Sequence, residues 1–259
     1  MTERSKLKVG VFVDCLCLPI REGVVKAAEM GAEGIQVYVT SGEMLAANMD
    51  SAKRKEFVKF CQDHGLAVTG LCVEFGPSLR VPAEAAEVVP KVKAGMDQAV
   101  DLGAPMVSAH MGGITTDAND PNRDHLRRVL KDLGDYGAKR GVVFATESGH
   151  ESGAALRQAL DALDTDGIKV NFDPANLVMN GFDHMQAVRD LAPYVVHTHA
   201  KDGRKGVGEL PLGQGDVNYP KYVALWHSLG YNGFYTIERE VGDDRVGDTS
   251  RAVDLLRSL

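Results

Sequence analysis

The chain has 259 residues, of which 44% are hydrophobic and 25% charged, enough apolar material for a sizeable core. Thirty-six acidic against 29 basic residues give a formal charge of -7 with no basic block, which argues against nucleic acid and for small-molecule chemistry. The opening MTERSKLK is polar and no apolar run is long enough to span a bilayer, so no membrane partner is expected and a cytoplasmic location is the default.

Strand-like apolar runs alternate with amphipathic, helix-like runs from end to end. Residues 8–16 (KVGVFVDCL) are predicted as strand one, followed by a helix over 21–30 with Gly31 as its stop. Strand two over 34–40 (GIQVYVT) leads to a helix over 50–64 that Gly65 ends, and strand three over 67–75 to a long helix over 83–102 and Gly103. Strand four over 105–113 (PMVSAHMGG) opens a polar loop reaching residue 122, then a helix to 139 and a stop at Gly141. Strand five over 142–149 is followed by a helix over 152–163, and strand six over 168–176 by one over 182–191. Strand seven over 195–203 (VVHTHAKDG) precedes the longest polar connection, 204–218, and a helix over 219–229 ending at Gly230. Strand eight over 233–240 and a helix over 249–259 complete the chain.

Strict alternation with short links and nearly continuous apolar strands indicates parallel strands covered by helices. Eight such units in about 250 residues fit one closed (β/α)8 barrel, a single domain over residues 1–259. The competing doubly wound sheet usually carries a glycine-rich phosphate turn after its first strand; here that link reads CLPIREG. Four cysteines, Cys15, Cys17, Cys61 and Cys72, make neither a paired CxxC zinc pattern nor a disulfide framework, and are read as reduced, buried small hydrophobes.

Such barrels carry their chemistry at the C-terminal ends of the strands. With side chains alternating along a strand, strand five ends one face with Glu147, strand six pairs Asn171 with Asp173, strand seven His197 with His199, and strand eight brings Phe234, Thr236 and Glu238 to one face. Two glutamates, an aspartate and a histidine converging on one point form an oxygen and nitrogen set suited to Mn²⁺, Mg²⁺, Co²⁺ or Zn²⁺. Unrelated strand-end salt bridges are the plain alternative. His110, ending strand four beside Ser108, can bind substrate, orient a ligand or be structural. Glu74 and Asp14 either line the mouth or brace loops, and His150 is placed only as a substrate contact. His197, a layer deeper than His199, is read as a core hydrogen-bonding residue, Trp226 as helix packing, and His64, His125, His184 and His227 as surface or packing residues. Arg204 and Lys205 either meet a phosphate or are simply solvated, solvation being the preferred reading.

NFDPAN (171–176), HAKD (199–202), LGQGDVNY (212–219) and IERE (237–240) resemble the xylose isomerase-like TIM barrels, which include sugar phosphate isomerases and epimerases, ketose 3-epimerases and inosose-type dehydratases. The resemblance covers essentially the whole chain. It implies one divalent metal, Mn²⁺ by preference, held by Glu147, Asp173, His199 and Glu238. It also implies that Glu147 and Glu238 act as paired catalytic residues, moving a proton on opposite faces of a carbon next to a carbonyl through an enediolate. His110, Asn176 and Lys201 fall at substrate-binding positions; Asn176 stands where many ketose epimerases carry a histidine. The implied activity is isomerisation or epimerisation of a sugar, sugar phosphate or related polyol ketone, with a lyase or dehydratase as the alternative. The difference between them is expected in the loops over 75–81, 114–122 and 204–215. The related apurinic endonucleases use extra metal-binding histidines after strand seven, and the segment 203–216 has none. The partner is therefore a small carbohydrate, and a homo-oligomer is compatible with the sequence.

Overall fold

In the computed structural model, which describes residues 7–113 and 120–259, the strands close on themselves. They are β1 (Lys8–Phe12), β2 (Gly34–Tyr38), β3 (Ala67–Cys72), β4 (Met106–Ala109), β5 (Val143–Glu147), β6 (Ile168–Phe172) and β7 (Val195–Ala200). A small hairpin of β8 (Asp202–Arg204) and β9 (Gly208–Leu210) then precedes the last barrel strand, β10 (Phe234–Ile237). All barrel pairings are parallel and follow chain order, with β10 returning to β1. The protein is a (β/α)8 barrel, as the alternation predicts.

The helices are α1 (Ile20–Glu29), α2 (Ser51–Asp63), α3 (Pro82–Leu102), α4 (Arg123–Ala138), α5 (Gly153–Asp161), α6 (Pro174–Met179), α7 (His184–Leu191), α8 (Tyr219–Ser228) and α9 (Arg245–Arg257). Their apolar stripes pack on the outer faces of the strands: Phe57, Met96, Leu133, Leu156, Val188, Trp226 and Leu256 join one continuous buried cluster with Val9, Ile35, Leu71 and Phe144. Trp226 is a packing residue, edge-on to Phe172 at 5.3 Å between ring centroids. Inside the barrel space is tight: a Cβ on Gly10 would lie 2.6 Å from Thr236 Oγ1, so glycine lets the last and first strands approach. No helix among the described residues is long and apolar enough to cross a membrane.

Several predicted boundaries shift, each for a local reason. Strand one stops at Phe12 because residues 13–16 turn into a 3-10 helix, braced by Asp14 Oδ2, which accepts the Tyr38 N–H at 2.9 Å. That turn ends at Cys17, which is exposed with φ 55°, so only the other three cysteines are buried as expected. Strand six stops at Phe172, since Asp173 caps α6, its Oδ1 accepting the Asn176 N–H at 2.8 Å, and Pro174 fits the first helical turn. The connection over 204–218 contains the β8–β9 hairpin rather than irregular chain alone, and the final helix begins at Arg245, one turn early, capped by Asp244. Of the loop expected at 114–122, residues 114–119 lie outside the described residues.

Candidate metal centre

The C-terminal ends of β5, β6, β7 and β10 deliver Glu147, Asp173, His199 and Glu238 to one point. One ligand atom from each lies within 4.8 Å of the others. Parallel register builds the cluster: Glu147 pairs with Asn171 across β5 and β6, and Thr236 with His199 across β10 and β7, so the four side chains leave the barrel at one level.

Each member is fixed by partners on other elements. His199 donates its Nε2–H to Gln36 Oε1 at 3.0 Å, which leaves Nδ1 facing the cluster, 3.2 Å from Glu238 Oε2 and 3.6 Å from Asp173 Oδ2. Asp173 spends Oδ1 on the α6 cap, and its Oδ2 faces His199. Ser148 Oγ accepts the Asp173 N–H at 2.9 Å, holding the backbone there. Glu147 Oε1 accepts from Asn176 Nδ2 at 2.8 Å, and Glu238 Oε2 from Lys201 Nζ at 2.7 Å. His197 is the structural neighbour anticipated: its two nitrogens face Asn171 Oδ1 and Thr236 Oγ1, each at 2.8 Å, and burial pushes its pKa well down.

Charge is concentrated here. Burial, reinforced by the charge of Glu238, pushes the Glu147 carboxyl up to about 7. Burial acts the same way on Glu238, but His199 and Lys201 outweigh it and hold that carboxyl well down. His199 and Lys201 are pushed up in turn, the surrounding carboxylates overcoming the cost of burying their charge. The cluster fits a divalent cation on one observation above all. Asp173 Oδ2 and His199 Nδ1 are buried, face each other at 3.6 Å, and have no hydrogen-bond partner among the described residues. Two buried polar atoms left without a partner cost free energy unless an ion, or a proton, fills the space between them.

Above the cluster opens a cavity of about 370 Å³, lined by the apolar Phe12, Tyr38 and Cys72 and by the polar Glu74, His110, Glu147, His150, Asn176 and Glu240. His110 donates its N–H to Glu74 Oε2 at 2.7 Å, its Nδ1 lies 3.3 Å from the same oxygen, and its Nε2 lies 3.9 Å from Glu147. Burial works against its charge, but the Glu74 hydrogen bond and the Glu147 charge raise its pKa to about 9. His150 stacks edge-on against it at 4.6 Å. Of the anticipated substrate-binding residues, His110 and Asn176 are on the wall; Lys201 sits behind it, its ammonium on Glu238 and Glu240. Glu240, Gln36 and the Phe12–Tyr38 wall were not anticipated. Glu240 had a signal, being two residues after Glu238 and so on the same face.

A family model of xylose isomerase-like TIM barrels matches residues 24–259. The chain belongs to that family. Among xylose isomerase-like structures it is similar to a xylose isomerase domain protein from Planctomyces limnophilus, at 26% identity and TM-score 0.85, covering 99% of this chain and 97% of that one. The probable 3-DHS dehydratase involved in petrobactin synthesis from Bacillus anthracis shares the fold at 17% identity and TM-score 0.80, covering 96% and 98% of the two chains. So does a D-allulose 3-epimerase from Methylomonas sp. in complex with D-allulose, at 16% identity and TM-score 0.78, covering 98% and 97%. A curated relative, an uncharacterised protein from Methanocaldococcus jannaschii, matches at 22% identity over 185 residues; the match spans 64% of this chain and 60% of that protein's length. The xylose isomerase-like fold thus hosts both an epimerase and a probable dehydratase among these neighbours.

Proposed function

We propose that the protein is a divalent-metal-dependent isomerase or epimerase of a carbohydrate ketone, acting in the cytoplasm, with Mn²⁺ the preferred ion over Mg²⁺, Co²⁺ or Zn²⁺. The observation that carries this reading is the buried cluster of Glu147, Asp173, His199 and Glu238 under an open cavity, with Asp173 Oδ2 and His199 Nδ1 unpartnered. When bound, the ion supplies Lewis-acid polarisation of a carbonyl oxygen and offsets the crowded carboxylates. The chain's own residues do the rest. Glu147 and Glu238, brought from separate strands to the cavity floor, take a proton from the carbon next to the carbonyl on one face and return it on the other. Asn176 aims the Glu147 carboxylate through its 2.8 Å hydrogen bond, and Lys201 holds Glu238. His110 and Asn176 face the substrate, while Lys201 acts on it through Glu238.

A lyase reading has support in His110, whose ring lies at the cavity edge against Glu74 and 3.9 Å from Glu147, placed to give a proton to a departing hydroxyl. Incubation of the Mn²⁺-loaded protein with ketoses and inososes in D₂O, followed by NMR, separates the two. Deuterium at the carbon next to the carbonyl without loss of water is the expected result. An unsaturated product would transfer the assignment to the lyase.

A further inference from the structure

Resting on that reading, we infer that the cavity takes an uncharged polyhydroxy ketone and rejects its phosphate ester, the donors that would bind an anion being already occupied by the protein's own carboxylates. In (β/α)8 barrels a phosphate is commonly held by backbone N–H groups in the loops after the seventh and eighth strands. Here Asp202, directly after β7, fills the first of these. Its Oδ1 accepts from the N–H of Gly203 (2.8 Å) and Val217 (3.1 Å), and its Oδ2 from Gly213 and Gly215 (both 2.9 Å). A Cβ on Gly215 would stand 2.0 Å from Asp202 Oδ1, so the glycine-rich LGQGDV segment is shaped around this internal carboxylate. After β10 the arrangement repeats: Glu209 Oε1 accepts from the Glu240 N–H at 3.1 Å and lies 3.5 Å from that of Val241.

The side chains agree. Glu74, Glu147, Glu238 and Glu240 all line the cavity, whereas no lysine or arginine does among the described residues. Three of the nearby cations are held by carboxylates, Lys201 by Glu238 and Glu240, Arg239 by Glu209 and Asp248, and Arg204 by Asp216, while Lys205 lies against Gly181 and is not part of the cavity lining. A phosphate would therefore enter a pocket of carboxylates without the bidentate or ammonium partner its recognition needs.

The test compares pairs that differ only in the ester, D-fructose with D-fructose 6-phosphate and D-ribulose with D-ribulose 5-phosphate. It uses the Mn²⁺-loaded protein and reads solvent deuterium exchange by NMR and thermal shift at matched ligand concentration. The free ketose of a reactive pair is expected to exceed its ester at least 100-fold in kcat/KM, and Glu240→Lys, which puts an ammonium at the cavity rim, to narrow that ratio at least tenfold. An ester that reacts as fast as the free ketose, or gives the larger thermal shift, overturns the inference while leaving the proton-transfer reading intact. If no pair exchanges deuterium but free ketoses still give the larger shift, the charge selection stands and the proton-transfer reading fails.

Discussion

His199 shows how one side chain is divided between structure and chemistry. Gln36 holds its Nε2–H and thereby commits Nδ1 to the cluster, so Gln36→Leu is expected to weaken divalent-metal binding about 10–100-fold, as loss of a ligand's outer hydrogen bond does. Titration of metal-free protein with Mn²⁺ reads this; unchanged affinity would leave Gln36 a packing residue. Glu147 and Glu238 are expected to respond oppositely in stability and alike in activity. Glu147→Gln removes a carboxylate whose charge is disfavoured by burial and by Glu238, so the metal-free variant should melt higher. Glu238→Gln strips the buried Lys201 of a 2.7 Å partner and should melt lower. Both should lose about 10²–10⁴ in turnover; activity retained in both would contradict the two-carboxylate chemistry. Period-two alternation put His197 and His199 on one face, and it was their depth along the strand that separated the ligand from its structural neighbour. It could not reveal Gln36, because a bond between residues 163 positions apart leaves no local pattern.

At the scale of elements, legibility followed length. The long helices declared their ends: Gly103 and Gly141, read as stops, take φ of 72° and 73°, which glycine reaches without strain. Six-residue α6 escaped notice because one and a half turns show no amphipathic period, although the Asp173-Pro174 pair is a helix-start signal. The β8–β9 hairpin escaped for a different reason: its strands are three residues each, and its anchor is the Asp202 carboxylate, whose four backbone partners extend to Val217. Asp202→Ala is therefore expected to cost about 2–4 kcal/mol, since those N–H groups lose their acceptor together. It should also expose residues 203–217 to limited proteolysis before global unfolding. A variant as protease-resistant as the parent would show that the hairpin is held by its packing on α6 instead.

At the scale of the whole molecule, barrel closure is what turns four strand ends into a site, and the sequence revealed it through the count of βα units rather than through any one contact. The cluster concentrates unfavourable charge in the metal-free fold, so a bound ion stabilises the folded state over the unfolded chain, which lacks the site. At a free Mn²⁺ concentration 100 times Kd this amounts to about 2.7 kcal/mol. For a chain of this size that is a rise in Tm of about 5–10 °C, reversed by chelator. The pH dependence has a definite sign. Metal-free protein holds protons at Glu147, pushed up to about 7, and at His199, which the surrounding carboxylates raise well above its ordinary value, and an ion must displace them. Because the metal-free state binds more protons, affinity rises with pH, by about tenfold per unit for each proton released while both groups remain protonated. The Mn²⁺-induced shift in Tm should accordingly be smaller at pH 6 than at pH 8, at equal metal concentration. A shift independent of pH over that range would mean that the ion sits away from Glu147 and His199, and the cluster would then be an ion-pair network rather than a metal centre.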